Sequence, residues 1–284
     1  MKSYISKIVL ITGCSSGIGQ ATALRLVRSG WTVYATARRA GDIEDLARAG
    51  AHTLALDVTD EASMAAAVEH IESKSGAVGV LVNNAGYSQS GAVESVTMEQ
   101  VRRQFETNVF GAVRLAQLVL PAMRTQRWGR IVNMSSMGGK LTFPGGGFYH
   151  ATKYAIEAIT DALRFEVDGF GIAAILIEPG LIRSGFAHAA ANSVTAPTGP
   201  AGPYTAFNAA AVEATNSAYE TGPLARFGGT PDSVAKVVER AISAKKPQAR
   251  YTVTPSASIL IGTRRVLSDV AWDAFVASQY PRPR

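Results

Sequence analysis

The sequence predicts an α/β protein: a doubly wound, seven-stranded and mostly parallel sheet with helices on both faces. Three observations lead there. Short apolar runs alternate with segments that read as amphipathic helices. The runs are continuous stretches rich in Val, Ile and Leu, as parallel strands covered on both faces require. The first run leads straight into a glycine-rich turn and then a helix. Strand–helix repetition of this kind implies one parallel sheet.

In chain order, the predicted strands are 8–11, 32–37, 53–57, 78–82, 131–134, 172–177 and 251–254. Residues 60–74 place Met64, Ala67, Val68 and Ile71 at helical spacing. Residues 231–243 do the same with Val234, Val237, Val238, Ala241 and Ile242, after Thr230 as N-cap and Pro231 at the first helical position. Gly30 and Gly50 follow helical patterns and suit C-terminal caps. One region breaks the alternation. Residues 185–229 are rich in Ala, Gly, Pro, Ser and Thr without a strong period. A long irregular segment of this kind is a candidate substrate lid or an insertion on the surface. The expectation is a single domain over 1–284 with that lid at about 185–229.

The chain has 284 residues, 47% of them hydrophobic and 18% charged, which fits a globular protein with a sizeable core. Its net charge of +6 comes from scattered basic pairs such as Arg38-Arg39, Arg102-Arg103 and Arg264-Arg265, with no Lys/Arg run. That distribution argues against a nucleic-acid footprint. The single cysteine, Cys14, excludes an internal disulfide framework. No stretch reaches the length of a membrane span, the N-terminal apolar run is too short for a signal peptide, and no metal site is expected. A soluble, cytoplasmic protein is the resulting expectation.

The first predicted strand is followed by Thr12-Gly13-Cys14-Ser15-Ser16-Gly17-Ile18-Gly19 and a helix to about Ser29. A strand–glycine loop–helix unit aims backbone N–H groups and the positive helix end at an anion, and glycine lets the backbone approach a pyrophosphate. The second strand ends Ala35-Thr36-Ala37-Arg38-Arg39. An acid near this point would suit the ribose 2′-hydroxyl of NAD, but Ala37 is neutral and Arg38 follows. A guanidinium suits a 2′-phosphate, so NADP(H) is favoured over NAD(H).

Proton-transfer equipment lies further along. Residues 133–153 run from a strand end with Ser135 and Ser136, through a Gly/Pro-rich loop, to a helix start bearing Tyr149 and Lys153. Four residues apart on a helix, the phenol and the ammonium share one face. A free phenol has a pKa of about 10, and a nearby cation favours its phenolate.

These residues, in this order, resemble the single-domain short-chain dehydrogenases/reductases. The resemblance rests on Thr12–Gly19, Asp57-Val58, Asn83-Asn84-Ala85-Gly86, Asn108, Ser135-Ser136, Tyr149-x-x-x-Lys153 and Pro179-Gly180, and covers residues 7–184. The Cys-Ser-Ser-Gly-Ile-Gly loop is most similar to hydroxysteroid- and retinol-dehydrogenase-like members. The resemblance implies a Rossmann fold and a cofactor held by Gly13, Ser15, Ser16, Gly17, Ile18 and Gly19. It implies that Asp57 and Val58 contact the adenine, and that Asn83, Ala85 and Gly86 flank the ribose. Pro179, Gly180 and Ile182 would run along the nicotinamide, with Ser184 where the family usually has threonine. It implies Tyr149 as general acid/base, Lys153 as its cation and ribose ligand, and Asn108 as anchor of a proton-relay water. Its spacing selects Ser136 over Ser135 as the group that holds the substrate oxygen. Homodimers or homotetramers through the helices of Asn108 and Tyr149 are also implied.

The expected chemistry is hydride transfer between NADP(H) and a lipophilic ketone, aldehyde or secondary alcohol. Met137, Leu141, Phe143, Pro144, Phe148, Leu181 and Phe186 are expected on the substrate side, with Lys140 and Arg183 near enough to admit an anion. His150 is expected on another helical face, without a role. The stretch 256–277 reads equally as subunit contact, pocket wall or core. Two other functions remain open at this point: an NADPH-binding sensor or scaffold without turnover, and a sugar-nucleotide epimerase or dehydratase. The intact Ser136, Tyr149 and Lys153 speak against the first. The lack of an evident C-terminal sugar-nucleotide domain disfavours the second.

Overall fold

The computed structural model describes residues 6–194, 202–280 and 282. Strand β1 (Ile8–Ile11) is buried along its whole length. It is followed by α1 (Gly17–Arg28), β2 (Thr32–Ala37), α2 (Glu44–Arg48), β3 (His52–Ala55), α3 (Glu61–Ser75) and β4 (Val80–Asn83). Then come α4 (Met98–Phe105), α5 (Gly111–Thr125), β5 (Gly129–Met134), α6 (Gly147–Asp168), β6 (Ile172–Glu178) and α7 (Phe186–Asn192). The chain continues through α8 (Thr205–Glu220), α9 (Pro231–Ser243), β7 (Arg250–Thr252), α10 (Pro255–Val266) and α11 (Asp269–Ala277).

The strands form one sheet in the order β3-β2-β1-β4-β5-β6-β7. Every pairing among the described residues is parallel, so the sheet is wholly rather than mostly parallel. The chain reverses direction across the sheet between β1 and β4. At such a switch point a crevice opens beyond the carboxyl ends of the strands, where α/β folds bind ligands.

Alternation along β1 explains the two layers. Val9 and Ile11 pack with Ala23 and Leu26 of α1 and Val234 and Val238 of α9. Ile8 and Leu10 face the other way, onto Met64, Val68 and Ile71 of α3 and Leu115 and Val119 of α5. Both faces of β1 are therefore apolar, which is why that run lacks a polar alternate, while the edge strands β3 and β7 are only partly buried.

Several strand limits differ from expectation, two of them for clear local reasons. The predicted last strand, 251–254, ends at Thr252 because Thr254 caps α10, its Oγ1 accepting from Ala257 N at 3.2 Å, and Pro255 opens that helix. The third strand stops at Ala55 rather than Asp57. Asp57 instead turns the chain, its Oδ1 accepting from the N and Oγ1 of Thr59 at 2.9 and 2.8 Å.

The region 185–229 departs further from its expected irregularity. It holds the helices α7 and α8 and a short 3₁₀ turn at Ala225–Phe227, while residues 195–201 lie outside the described residues. Alanine favours helix by intrinsic propensity, and a helix of small residues carries little apolar period to read. In α8 the one fully buried residue is Ala211.

Candidate active site

A cleft of about 820 Å³ opens at the switch point. Its floor is the turn after β1. Gly13 (φ 70°) and Gly17 (φ 60°) adopt the left-handed region that glycine tolerates. A Cβ on Gly19 would come within 2.2 Å of the Gly13 carbonyl oxygen. Ser16 enters α1 in extended conformation, its side chain capping nothing, and the first turn holds no acid. The open N–H groups of α1 therefore suit an anion such as a pyrophosphate. Gly13, Ser15, Ser16, Gly17 and Ile18 line the cleft, whereas Gly19 packs beneath it.

The adjacent strand end is tied to this turn. Thr12 Oγ1 accepts from the backbone N–H groups of Asn84 and Ala85, each at 3.0 Å. Asn84 Nδ2 in turn donates to the carbonyls of Thr12 and Gly13. Asn84, Ala85 and Gly86 line the cleft. Asn83, expected beside the ribose, does not. It ends β4 with its side chain in the core, donating to Asn133 Oδ1 at 2.8 Å and to the Ala112 carbonyl. Period-two alternation thus makes Asn84, not Asn83, the side chain at the cleft.

Asp57 and Val58 form one wall and Arg38 stands at its rim. Arg38 is exposed and its guanidinium makes no ion pair with the described residues. The rim also carries Asp42, an acid the sequence reading passed over. Its carboxylate is paired with Arg39 at 3.0 Å, so its charge is already met. Cys14 lies below the cleft, fully buried, with its thiol pushed up to about 12 by that burial; it is a packing residue rather than a nucleophile.

The far wall brings the polar triad together. Beyond β5, Ser136 Oγ accepts from Gly138 N at 3.0 Å, while Ser135 Oγ is buried without a partner. Tyr149 and Lys153 project from the first turns of α6. Lys153 Nζ donates to the Met134 carbonyl at 2.8 Å and lies 5.6 Å from the Tyr149 ring centroid. Burial dominates the electrostatics of both groups. It lowers Lys153 to about 8, against the pull of Glu157 one turn on. It pushes Tyr149 up to about 12, with the hydrogen bond to Ser136 acting in the opposite sense. Tyr149 is half-buried, and its open side faces the cavities. Pro179, Gly180, Ile182 and Ser184 complete this end of the cleft.

Asn108 sits in a π-helical turn, Glu106–Phe110, that interrupts the helix expected across Val101–Leu120. Such turns concentrate at functional sites. Its side chain does not reach either cavity. Oδ1 accepts from Tyr87 N, and Nδ2 donates to the Tyr87 carbonyl and to Thr152 Oγ1. Asn108 therefore clamps the segment after β4 against α6, next to Lys153.

A second cavity, of about 490 Å³, adjoins the cleft. Met137, Phe143, Pro144, Leu181 and Phe186 line it, together with alanines of α7 and α8. Leu141, expected there, is fully buried in the cluster with Trp272 and Leu260 and lies off the cavity; Phe148 is off it as well. No charged side chain lines this cavity among the described residues. Lys140 is held by Glu157 at 2.6 Å, and Arg183 is exposed outside it. The segment 256–277 contributes both core, through Trp272 and Ala257, and cavity wall, through Leu260 and Phe275.

His150 is on the cavity too, contrary to its expected place on another face. Its ring is buried, with Nε2 accepting from Phe143 N at 3.2 Å and Nδ1 3.1 Å from the Gly138 carbonyl. The imidazole thus braces both ends of the loop between Ser136 and Tyr149, as the neutral ring, its pKa lowered to about 4 by burial.

Residues 7–194 match the family described as short chain dehydrogenase. The chain belongs to that family. This short-chain dehydrogenase is 35% identical over 263 residues to an NADPH-dependent 3-dehydrocapnine reductase from Ornithobacterium rhinotracheale, covering 88% of each chain. It is 44% identical over 180 residues to a 3-ketodihydrosphingosine reductase from Bacteroides thetaiotaomicron, covering 63% of this chain and 65% of that one. A solved short-chain dehydrogenase from Streptomyces avermitilis superposes with a TM-score of 0.78 at 33% identity, covering 97% of this chain and 95% of that chain. The family consists of oxidoreductases that use NAD(P)(H).

Proposed function

We propose that this enzyme reduces a lipophilic ketone or aldehyde to the alcohol with NADPH, or runs the reverse oxidation, with Tyr149 as general acid/base. One observation carries the reading. Ser136 and Tyr149 line both the dinucleotide-sized cleft and the apolar cavity, with Lys153 behind them on the cleft side. Any molecule filling the apolar cavity has its inner end against those hydroxyls.

A nicotinamide cofactor held in the cleft would supply or take the hydride, and its oxidised form would add positive charge to the site. Tyr149 gives its hydroxyl proton to the developing alkoxide in reduction, and takes it back in oxidation. Ser136 holds the substrate oxygen: because its Oγ accepts from Gly138 N, its own proton is left to donate, toward the Tyr149 phenol and toward a substrate oxygen seated between them. Lys153 favours the phenolate against the burial that opposes it, and its ammonium keeps donors beyond the bond to Met134 for ribose hydroxyls.

Arg38, unpaired at the rim, supports a preference for the 2′-phosphate, as does the NADPH dependence named for the Ornithobacterium relative. The uncharged apolar cavity supports an apolar substrate, and both named relatives are reductases of a 3-keto or 3-dehydro compound. Exposed Phe110 (53%), Tyr154 (44%) and Phe165 (89%) support a homo-oligomer through the flanking helices. The deciding experiment measures NADPH oxidation with apolar ketones in the wild type and in Tyr149→Phe. Turnover in the first and its loss in the second, with NADPH still bound, is the expected result. Full activity in Tyr149→Phe would sink the mechanism.

A further inference from the structure

Five residues face both cavities: Ser88, Ser136, Tyr149, Phe186 and Tyr219. They mark the point where a substrate meets the cofactor cleft. The proposed chemistry uses only Ser136 and Tyr149, and Phe186 is apolar, packed at 5.4 Å on the Tyr149 ring. Ser88 and Tyr219 are left over. Neither hydroxyl makes a hydrogen bond to a described residue, although Ser88 is buried and the Tyr219 ring packs on the Met137–Leu181 cluster. Ser90, Gln279 and Tyr280 also carry open polar groups, but they line the apolar cavity alone and stand away from the cleft. The remaining polar side chains are engaged. His150 uses both ring nitrogens on the loop, Thr215 Oγ1 donates to the Ala211 carbonyl, and Ser217 Oγ pairs with Thr221 Oγ1.

We propose that Tyr219 and Ser88, which both stand where the two cavities meet, form a second polar subsite next to the reacting carbonyl. It selects ketones that carry an uncharged oxygen on the α or β carbon and an apolar remainder. The inference rests on the proposed reductase reading. Each part follows from the setting. An open hydroxyl at the edge of an apolar cavity is satisfied when a ligand oxygen meets it, and is left desolvated when a plain hydrocarbon does. The absence of charged side chains from the described lining selects an uncharged group over a carboxylate or phosphate. Tyr219 also suits a donor. Its pKa is raised, first by burial and then by the neighbouring phenols of Tyr149 and Tyr280, so it keeps its proton while Tyr149 exchanges one. Two adjacent phenols thereby take different tasks: the one beside Lys153 titrates, and the one on the lid helix α8 reads the substrate.

The test uses a matched pair: a 2-alkanone and the same chain with a hydroxyl on the adjacent carbon, 1-hydroxy-2-alkanone. The full-length protein with NADPH should favour the hydroxyketone in kcat/KM. Tyr219→Phe should reduce that preference about 10-fold, the worth of one neutral hydrogen bond, and Ser88→Ala should reduce it in the same sense. Ser88→Ala carries the test alone where Tyr219→Phe does not fold. A preference kept in both variants overturns the proposal, as does an equal loss on both ketones. Calorimetric affinities of the NADPH complex for the same pair separate the two readings. A preference in affinity that falls in Tyr219→Phe, without turnover of any ketone, would keep the subsite and sink the reductase. Turnover of both ketones with no preference would keep the reductase and sink the subsite.

Discussion

The two cavities that meet at Tyr149 are built from different parts of the chain and by different physics. The cleft is made of strand ends and backbone: a glycine turn after β1, the segments after β4 and β5, and Pro179-Gly180 after β6. The apolar cavity is made of side chains on helices that come late, from α7, α8, α10 and α11, closed on one side by the loop that His150 braces. Backbone geometry permits few residue types, so the first region is held to glycines and short polar side chains. A cavity wall of alanine, leucine and phenylalanine admits many volume-conserving exchanges. The proposed chemistry stands at their boundary, on residues that line both.

Mutations at that boundary should have the largest effect. Tyr149→Phe removes the exchangeable proton while keeping the ring that packs on Phe186 and His150. It should cost at least about 100-fold in turnover and leave NADPH binding, read by fluorescence titration, in place. Loss of binding together with turnover would mean that the phenol serves the cleft and not the boundary.

The bracing of the apolar side makes a pH prediction. His150 titrates near 4 in the folded chain against an ordinary 6.5, because burial disfavours its charged form. As pH falls below 6.5 the unfolded chain takes up the proton first, so stability is lost between about pH 6.5 and 4, by about 3 kcal/mol in all. His150→Gln should flatten that acid limb in thermal melts run against pH. Superimposable limbs would show that another group sets the acid stability.

The cleft side is tested by cofactor choice. Ala37→Asp with Arg38→Leu installs an acid at the end of β2 and removes the unpaired guanidinium. The ratio of kcat/KM for NADPH over NADH should fall by about 10-fold or more, the worth of a charge-assisted contact. An unchanged ratio would shift attention to Asp42, whose pairing with Arg39 would then have to matter less than its sign.

The same contrast explains what could be read from the residues alone. The sheet was legible because strands buried on both faces leave continuous apolar runs, and the cleft because its turn needs glycine, for left-handed backbone at Gly13 and Gly17 and for space at Gly19. Ser136, Tyr149 and Lys153 were legible as an ordered motif, and they do converge. Asn83 was misplaced because the choice between it and Asn84 depends on which way β4 points, a matter of one residue in register. Leu141 was misplaced because a loop has no period from which to assign a face. His150 was passed over because its partners, Gly138 and Phe143, are backbone groups that no side-chain pattern signals. The helices of 185–229 were hidden because alanine supplies propensity without period.

The smallest expected effect tests the permissive wall itself. Ala190, on α7, is buried and lines the apolar cavity without lining the cleft. Ala190→Leu adds three carbons to a space of about 490 Å³, at a cost in stability of about 1 kcal/mol where the wall must adjust. Bulky ketones should then show a several-fold higher KM, while short ketones and the NADPH dissociation constant move little. If the cavity is a substrate site, the penalty must grow with substrate size across a series of ketones. A penalty independent of size would place the ketone elsewhere, and would leave the cleft as the one ligand site that this geometry supports.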